Sequence, residues 1–289
     1  MDPILLAFSF GAAFCFALAL VLTQYGLRTL APMDGARISV PVTAAIFLVL
    51  SPLTVSFELW HAGSLALFAG AGLFFPVAVT LLTFAANRLI GPNLTGTLGN
   101  LTPLFAVGIA ALLLGEVPES GQLAGIAVIC CGILLLFARR QRLPAAIPAW
   151  ALLLPLAAAL IRGLVQPVVK LGLADWPDPF AAVTVGYLVS AIVITALGLA
   201  RKRTGDARIP AAPGRLWFVA VGITNGLAVL GLYAALARGP VALVAPLVAC
   251  YPLFTLLLNR FLLGDRALSP RLAAGVAVTV AGVALLLAA

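Results

Sequence analysis

Arg162 is the one charged residue that lies deep inside an apolar segment of this sequence. Twelve residues separate it from Trp150 and ten from Gly172, which in a helix correspond to about 18 Å and about 15 Å. It would therefore lie near the middle of a membrane-spanning helix, where a charge costs roughly 3 kcal/mol or more and usually serves a function. A guanidinium at that depth could bind a carboxylate or another anion.

Gln166 follows Arg162 by four residues, so the two side chains share one face of a helix. Pro167 comes next, and it deprives the carbonyl of Gly163 of its helical hydrogen bond. Two interpretations are open. In the first, Arg162 binds a substrate anion with Gln166 beside it. In the second, Arg162 donates to carbonyls freed by Pro155 and Pro167 and fixes a kink.

The segment near residues 92–114 is unusually polar for such an apolar chain. Asn93, Thr97 and Asn100 recur at positions i, i+4 and i+7, which places them on one helical face. A polar stripe in a membrane helix faces either a water-filled cavity or a neighbouring helix. Further candidates for substrate contact, in the middle of other apolar segments, are Tyr251, Asn225, Tyr187 and Thr80.

The composition identifies the elements that must position these residues. Of 289 residues, 63% are hydrophobic and 9% are charged, whereas about 25% are charged in soluble proteins. Glycines, prolines and charged residues divide the chain into ten apolar segments, most of them long enough to span a bilayer as a helix. They lie near residues 4–27, 37–57, 65–87, 92–114, 121–138, 149–172, 179–200, 214–236, 240–263 and 270–288. The sequence therefore predicts an all-α polytopic membrane protein.

Residues at the segment ends predict local features. Asp178 precedes Pro179, and Ser269 precedes Pro270, which is typical of an N-cap followed by a first-turn proline. Tryptophans are enriched where membrane helices meet the membrane–water interface. The four tryptophans lie at segment ends and are expected at that interface: Trp60, Trp150, Trp176 and Trp217.

Basic residues are distributed unevenly between the two sides of this arrangement. Fourteen lie in loops that follow odd-numbered segments, and two, Lys170 and Arg238, lie on the opposite side. Because basic loops remain in the cytoplasm, we expect a cytoplasmic (inner) membrane protein with both termini outside. The same loops account for the net charge of +8 without nucleic acid as a partner.

The two halves of the sequence resemble each other. Residues 102–125 read TPLFAVGIAALLLGEVPESGQLAG, and residues 251–275 read YPLFTLLLNRFLLGDRALSPRLAAG. This alignment pairs Pro103 with Pro252. Such paired prolines are expected at hinges of broken helices, although static kinks are an open alternative.

A repeat of five segments has a consequence for topology. Since five is odd, the second half must cross the membrane in the opposite sense to the first. The sequence thus predicts ten transmembrane helices in two five-helix inverted-topology repeats, residues 1–142 and 143–289. In such folds the substrate site lies near the midplane between the repeats.

The five-plus-five plan and the repeated P-L-F-x8-L-G-[ED] pattern resemble the EamA-type branch of the drug/metabolite transporter superfamily. The pattern begins at Pro103 in the first half and at Pro252 in the second. The resemblance covers nearly the whole chain. It implies a ten-helix carrier of small polar metabolites, often an exporter of amino acids.

Several functions are disfavoured by residues that the sequence lacks. The nine acidic residues all fall in loops or at segment ends, which argues against antiport of cationic drugs and protons, because that reaction needs an embedded acid. The only histidine, His61, has no second ligand or catalytic partner at a suitable spacing. We therefore expect no enzyme, no cofactor and no metal site.

The sequence as a whole predicts a secondary transporter that works by alternating access. We expect it to export small zwitterionic metabolites, foremost amino acids, through a cavity between the repeats. Two alternatives are open: a carrier of anionic, phosphorylated or drug-like compounds, and a structural membrane subunit. The expected partners are a small-molecule substrate and the lipid bilayer, and a monomer is favoured over an obligate dimer.

Overall fold

The computed structural model describes residues 2–90, 95, 98–137, 149–203, 212–262 and 270–289. These residues form α-helices, short 3₁₀ turns and connections, without a strand among them. The α-helices are α1 Pro3–Gly26, α2 Pro32–Thr54, α3 Ala62–Phe74, α4 Val77–Ile90, α5 Thr102–Leu114, α6 Ser120–Phe137, α7 Leu153–Asp175, α8 Pro179–Arg203, α9 Ala212–Leu236, α10 Val241–Val248, α11 Tyr251–Leu262 and α12 Pro270–Ala288.

Length and hydropathy identify membrane spans among these helices. Within the described residues, seven stretches suffice to cross a bilayer: Pro3–Gly26, Pro32–Thr54, Ala62–Thr83, Ala149–Asp175, Pro179–Leu199, Gly214–Leu236 and Val241–Leu258. Shorter apolar helices over Thr102–Leu114, Ser120–Leu136 and Ala273–Ala288 fall in the remaining predicted segments. The all-helical fold expected of a polytopic membrane protein is confirmed, while the count of ten spans stays a prediction.

Three of the predicted segments are interrupted near their middle. The third is split into α3 and α4 at Phe75–Pro76, where the peptide bond is cis. The fourth turns at Asn100–Leu101 before α5 begins, and the ninth turns at Ala249–Cys250 between α10 and α11. Continuous hydropathy does not reveal these breaks, although the paired prolines Pro103 and Pro252 indicated a hinge or a kink near the second and third. Each lies beside a proline, which cannot donate the backbone hydrogen bond that would continue the helix.

A serine on a neighbouring helix satisfies the carbonyls at the first of these breaks. Because Pro76 has no N–H, the carbonyl of Gly72 lacks its helical donor. The Ser190 hydroxyl of α8 lies 2.6 Å from this carbonyl and 3.0 Å from that of Phe75, and its one proton can be shared between them. Freed backbone groups in membrane helices need such partners, so Ser190 stabilises the broken span.

Helices of the two halves pack in corresponding pairs. α1 packs on α9, and correspondingly α7 packs on α3 and α4. α2 contacts α9 through Thr43, whose hydroxyl donates to the Gly222 carbonyl at 2.7 Å, and α8 contacts α3 through Ser190. The last helices of the two halves, α6 and α12, also pack on each other. Each of these contacts between the halves thus has a counterpart with the halves exchanged.

Glycines bring α6 and α12 close together. A Cβ atom at Gly125 would lie 2.7 Å from the backbone of Leu286, and one at Gly282 would lie 2.6 Å from the nitrogen of Ile129. Both Leu286 and Ile129 are fully buried. Small residues at such a contact allow close backbone approach in a membrane, so this pair forms a packing unit away from the cavity described below.

The local expectations at segment ends are confirmed in part. The Asp178 carboxylate accepts from the Ala181 backbone N–H at 3.0 Å, as an N-cap should, and also from that of Ser56 at 2.7 Å. Ser269 lies outside the described residues. Three tryptophans are exposed, but Trp176 is only 2% exposed. Its indole donates to the Ser56 carbonyl, so it packs inside the protein, and the interfacial depth of the tryptophans stays a prediction. The exposed ones are Trp60, Trp150 and Trp217.

Candidate functional site

A cavity of about 360 Å³ lies among helices from both halves of the chain. That volume falls in the range of small-molecule sites, roughly 300–1,000 Å³. Its wall includes seven of the predicted substrate contacts: Arg162, Gln166, Asn100, Tyr251, Asn225, Tyr187 and Thr80. The other two, Asn93 and Thr97, lie outside the described residues.

The wall is largely apolar and carries few polar groups. Aromatic rings from several helices contribute to it, among them Phe16, Phe75 and Phe218. Arg162 is the one charged side chain in the described part of the wall. A mainly apolar cavity with a few placed polar groups is the usual composition of a ligand site.

The guanidinium of Arg162 is weakly engaged by the protein. Its Nε donates to the carbonyl of Ala158 at 3.4 Å. A Cβ atom at Gly99 would lie 3.6 Å from its Nη2, so the guanidinium lies against the break in the fourth predicted segment. Across the described residues, Arg162 forms no ion pair and no second hydrogen bond. Most of its five N–H donors thus remain available.

Gln166 lies one turn further along α7 and is only 7% exposed. Its Nε2 donates to the Arg162 carbonyl at 3.4 Å. Its Oε1 is buried and has no hydrogen-bond partner among the described residues. An unpartnered buried acceptor costs roughly 1–3 kcal/mol, which is a cost that a ligand donor could remove.

Two of the helix breaks meet at the cavity. The Tyr251 hydroxyl, at the start of α11, donates to Asn100 Oδ1 at 3.0 Å. The Thr102 hydroxyl donates to the Gly99 carbonyl at 2.8 Å, replacing the N–H that Pro103 lacks. Side chains therefore stabilise both breaks from within the site.

The four predicted hinge or kink prolines occupy different positions. Pro103 and Pro252 are each the second residue of a helix that follows a break, in α5 and α11. Pro167 lies inside the continuous helix α7, whereas Pro155 lies in its first turn, after a 3₁₀ turn over Ala149–Leu152. A first-turn proline removes no helical hydrogen bond, so Pro155 causes no break in α7. Movement at these prolines stays a prediction.

Several polar residues of the wall were not candidates from sequence, and Tyr233 is the largest of them. Tyr233 of α9 lines the cavity and is 4% exposed. Its position in the wall depends on how α9 packs against α1 and α2, which no local sequence pattern shows.

The two ends of the helix bundle differ. The cavity wall extends to Thr23 and Pro32, near the ends of α1 and α2 that face an arginine-rich loop. We refer to this end of the cavity as its mouth. At the opposite end, Lys170 forms an ion pair with Glu116.

Backbone groups that precede and begin α10 complete this ion pair. Lys170 Nζ also donates to the Gly239 carbonyl at 2.6 Å, and Glu116 Oε2 accepts from the Val241 N–H at 2.7 Å. The Lys170 and Glu116 side chains are 22% and 19% exposed. Their contacts connect α7, the end of α5 and the start of α10 on the side remote from the cavity mouth.

Comparisons with known proteins agree with this architecture. The sequence model of the EamA-like transporter family matches residues 3–138 and, a second time, residues 149–288. No curated protein matches the sequence. One solved structure, described only as "Crystal structure of protein", is similar with a TM-score of 0.79 and 20% identity, over 99% of this chain and 96% of that chain.

At 20% identity the likeness to that structure concerns the fold alone. The family matches cover nearly the whole chain and confirm the resemblance to the EamA-type branch that the repeated pattern indicated. A family of transporters also agrees with the expectation that the protein is not an enzyme. The chain belongs to the EamA-like transporter family and is a multi-pass membrane transporter.

Proposed function

We propose that this protein is a secondary transporter that exports small zwitterionic metabolites, foremost amino acids, through the cavity beside Arg162. The guanidinium of Arg162 supports this function most directly, because it lines the cavity without an acidic partner among the described residues. An unpaired guanidinium in an apolar wall attracts a carboxylate, and it can form two parallel hydrogen bonds to that group.

The contacts of Arg162 favour substrate binding over a kink. A residue that fixes the kink would donate to carbonyls freed by Pro155 or Pro167. The Nε bond runs instead to Ala158, whose carbonyl is the ordinary helical acceptor for the Arg162 backbone N–H. The side chain thus satisfies no carbonyl that a proline has freed.

Alternating access is supported by the correspondence between the halves. In our proposal, residues 1–142 and 143–289 are inverted-topology repeats, and the substrate binds between them. The paired contacts of α1 with α9 and of α7 with α3 and α4 fit such a relation. So do the breaks near Pro103 and Pro252.

The distribution of basic residues indicates which side of the membrane the cavity faces in the proposed transport cycle. If the arginine-rich loops lie in the cytoplasm, both termini are outside the inner membrane, and the cavity mouth faces the cytoplasm. The Lys170–Glu116 pair then closes the outer side. An exporter loads its substrate in such a state.

An anionic substrate is the second candidate, and one observation favours it. The described wall contains a cation but no carboxylate that could pair with a substrate ammonium group. A monocarboxylate or a phosphate ester would satisfy Arg162 without needing such a partner.

Uptake into proteoliposomes tests the proposed function. Purified protein would be given labelled alanine, threonine, leucine and phenylalanine, and in parallel a labelled 2-oxo acid and a sugar phosphate. We expect uptake of a neutral amino acid, and its loss in Arg162→Ala by about tenfold or more, because a hydrogen bond to a charged group is removed.

Two variants complete this test. Arg162→Lys should transport weakly, since an ammonium cannot form the forked contact. Arg28→Ala removes an exposed arginine outside the cavity wall and should transport as the wild type does. Normal amino-acid uptake by Arg162→Ala would contradict the proposal. Uptake of only the oxo acid or the sugar phosphate by wild type would replace it with the anionic alternative.

A further inference from the structure

We infer that Gln166 accepts a hydrogen bond from the substrate ammonium group and so selects α-amino acids over carboxylates without an amino group, a role that rests on the proposed function. The described wall offers no carboxylate for that ammonium. Gln166 Oε1 offers a neutral acceptor beside Arg162 that the protein itself leaves unused.

The present position of Gln166 is energetically unfavourable. The residue lines the cavity, yet its Oε1 is shielded from solvent and has no partner among the described residues. The one bond that retains the carboxamide, from Nε2 to the Arg162 carbonyl, is 3.4 Å long, near the upper limit for such a bond. Breaking it costs little, so the carboxamide can turn towards a donor in the cavity.

The spacing of the two side chains fits an α-amino acid. Both donate to a backbone carbonyl four residues earlier, Arg162 to Ala158 and Gln166 to Arg162. The guanidinium and the carboxamide therefore lie about one helical turn apart, roughly 5.4 Å. Hydrogen bonds are about 2.9 Å long, so a carboxylate and an ammonium on one carbon atom can reach both groups together.

Two other polar side chains of the wall already form hydrogen bonds within the protein. Asn100 Oδ1 accepts from the Tyr251 hydroxyl at 3.0 Å. The Thr80 hydroxyl donates to the Pro76 carbonyl at 2.8 Å, within its own helical turn. Among these three residues, Gln166 is the one whose side-chain oxygen is buried without a hydrogen-bond partner among the described residues, and it lies on the same helical face as the guanidinium.

Selectivity follows from the unpaired acceptor. A ligand with a donor on its α-carbon satisfies Gln166, whereas a 2-oxo acid presents a second acceptor there and leaves Oε1 unpaired. Sites built around a hydrogen bond reject ligands that lack it far more strongly than apolar pockets reject a missing methylene group.

The first experiment needs no variant. Uptake of the best neutral amino acid from the proteoliposome panel would be inhibited by unlabelled amino acid, 2-hydroxy acid and 2-oxo acid with the same side chain. We expect inhibition to weaken in that order, with the 2-oxo acid at least tenfold weaker than the amino acid, since it lacks a donor for a charge-assisted bond.

The second experiment uses Gln166→Met, which keeps the length of the side chain but removes the acceptor. Amino-acid inhibition should weaken by about tenfold, while inhibition by the 2-oxo acid should stay unchanged or improve. Gln24→Met is the matched control, because Gln24 is exposed and outside the cavity wall. Gln24→Met should leave the inhibition constants of the amino acid and of the 2-oxo acid as they are in wild type.

The outcomes separate this inference from the proposed function. If wild type transports amino acids but the 2-oxo acid inhibits equally well, Gln166 is not the selective acceptor. The same conclusion follows if Gln166→Met weakens both inhibitors equally, as a structural role would. If wild type transports no amino acid at all, the proposed function fails first and the inference fails with it.

Discussion

At the residue scale, Arg162 is a buried cation that costs folding free energy and forms few contacts that would offset this cost. It is a cation near the middle of α7 with one hydrogen bond of 3.4 Å and no acidic partner in the described part of the chain. Proteins retain costly residues at functional sites, where stability and activity oppose each other. Its stability effect therefore distinguishes a ligand contact from a structural one.

Arg162→Met should raise the thermal stability of the ligand-free protein while it abolishes transport. Removal of an unpaired charge from an apolar wall favours the folded state by about 1 kcal/mol or more. The midpoint of thermal unfolding in detergent would measure this, with Arg28→Met as the control for an exposed arginine. A lower midpoint for Arg162→Met would instead assign the residue a structural role.

How far the sequence predicts the site can be judged from single residues. Arg162 and Gln166 were identified because a charge inside an apolar segment is rare, and because four residues make one helical turn. Tyr233 was not identified as part of the site. The ion pair of Lys170 with Glu116 was not identified either, since 54 residues separate the two charges. Such contacts depend on how helices pack, and no local pattern encodes that.

At the element scale, hydropathy predicted the positions of the apolar helical segments but not the points at which three of them are interrupted. The interruption at Phe75–Pro76 lies inside an apolar run, and only the tertiary contact from Ser190 shows how its carbonyls are satisfied. A proline in a membrane helix predicts either a kink or a break. The choice depends on whether a neighbouring helix supplies donors.

Removal of the buried hydroxyl should have opposite effects on stability at two serines. Ser190→Ala should lower the stability by about 1–3 kcal/mol, because it leaves the Gly72 carbonyl without a donor. Ser9→Ala should leave stability unchanged or raise it, since the buried Ser9 hydroxyl has no partner among the described residues. Thermal unfolding of both variants in detergent measures the difference. Equal losses would contradict the account of the break.

At the scale of the whole molecule, the two ends of the bundle differ in what closes them. Lys170 and Glu116 connect α7, the end of α5 and the start of α10 at the end remote from the cavity mouth. In the repeat alignment, Glu116 corresponds to Asp265, and Lys170 corresponds to the uncharged Gln24. The Lys170–Glu116 pair therefore has no counterpart in the sequence of the other half, which would favour closure of the end that contains it.

Glu116→Gln should shift the protein towards the outward-open state. The variant loses the ion pair and weakens the acceptor for the Val241 N–H. We expect a cysteine introduced by Asn225→Cys, in a cysteine-free background, to react several-fold faster with an impermeant maleimide added outside. Asp175→Asn, at an exposed site on the same side, is the control. Unchanged labelling would show that the pair does not close that end.

Binding of an amino acid and of its methyl ester to the purified transporter tests the role of Arg162 most directly. The ester retains the ammonium group and the side chain but lacks the carboxylate. We expect wild type to bind the acid at least tenfold more tightly than the ester, and Arg162→Ala to bind both equally weakly. If wild type binds the ester as tightly as the acid, Arg162 does not bind the substrate carboxylate.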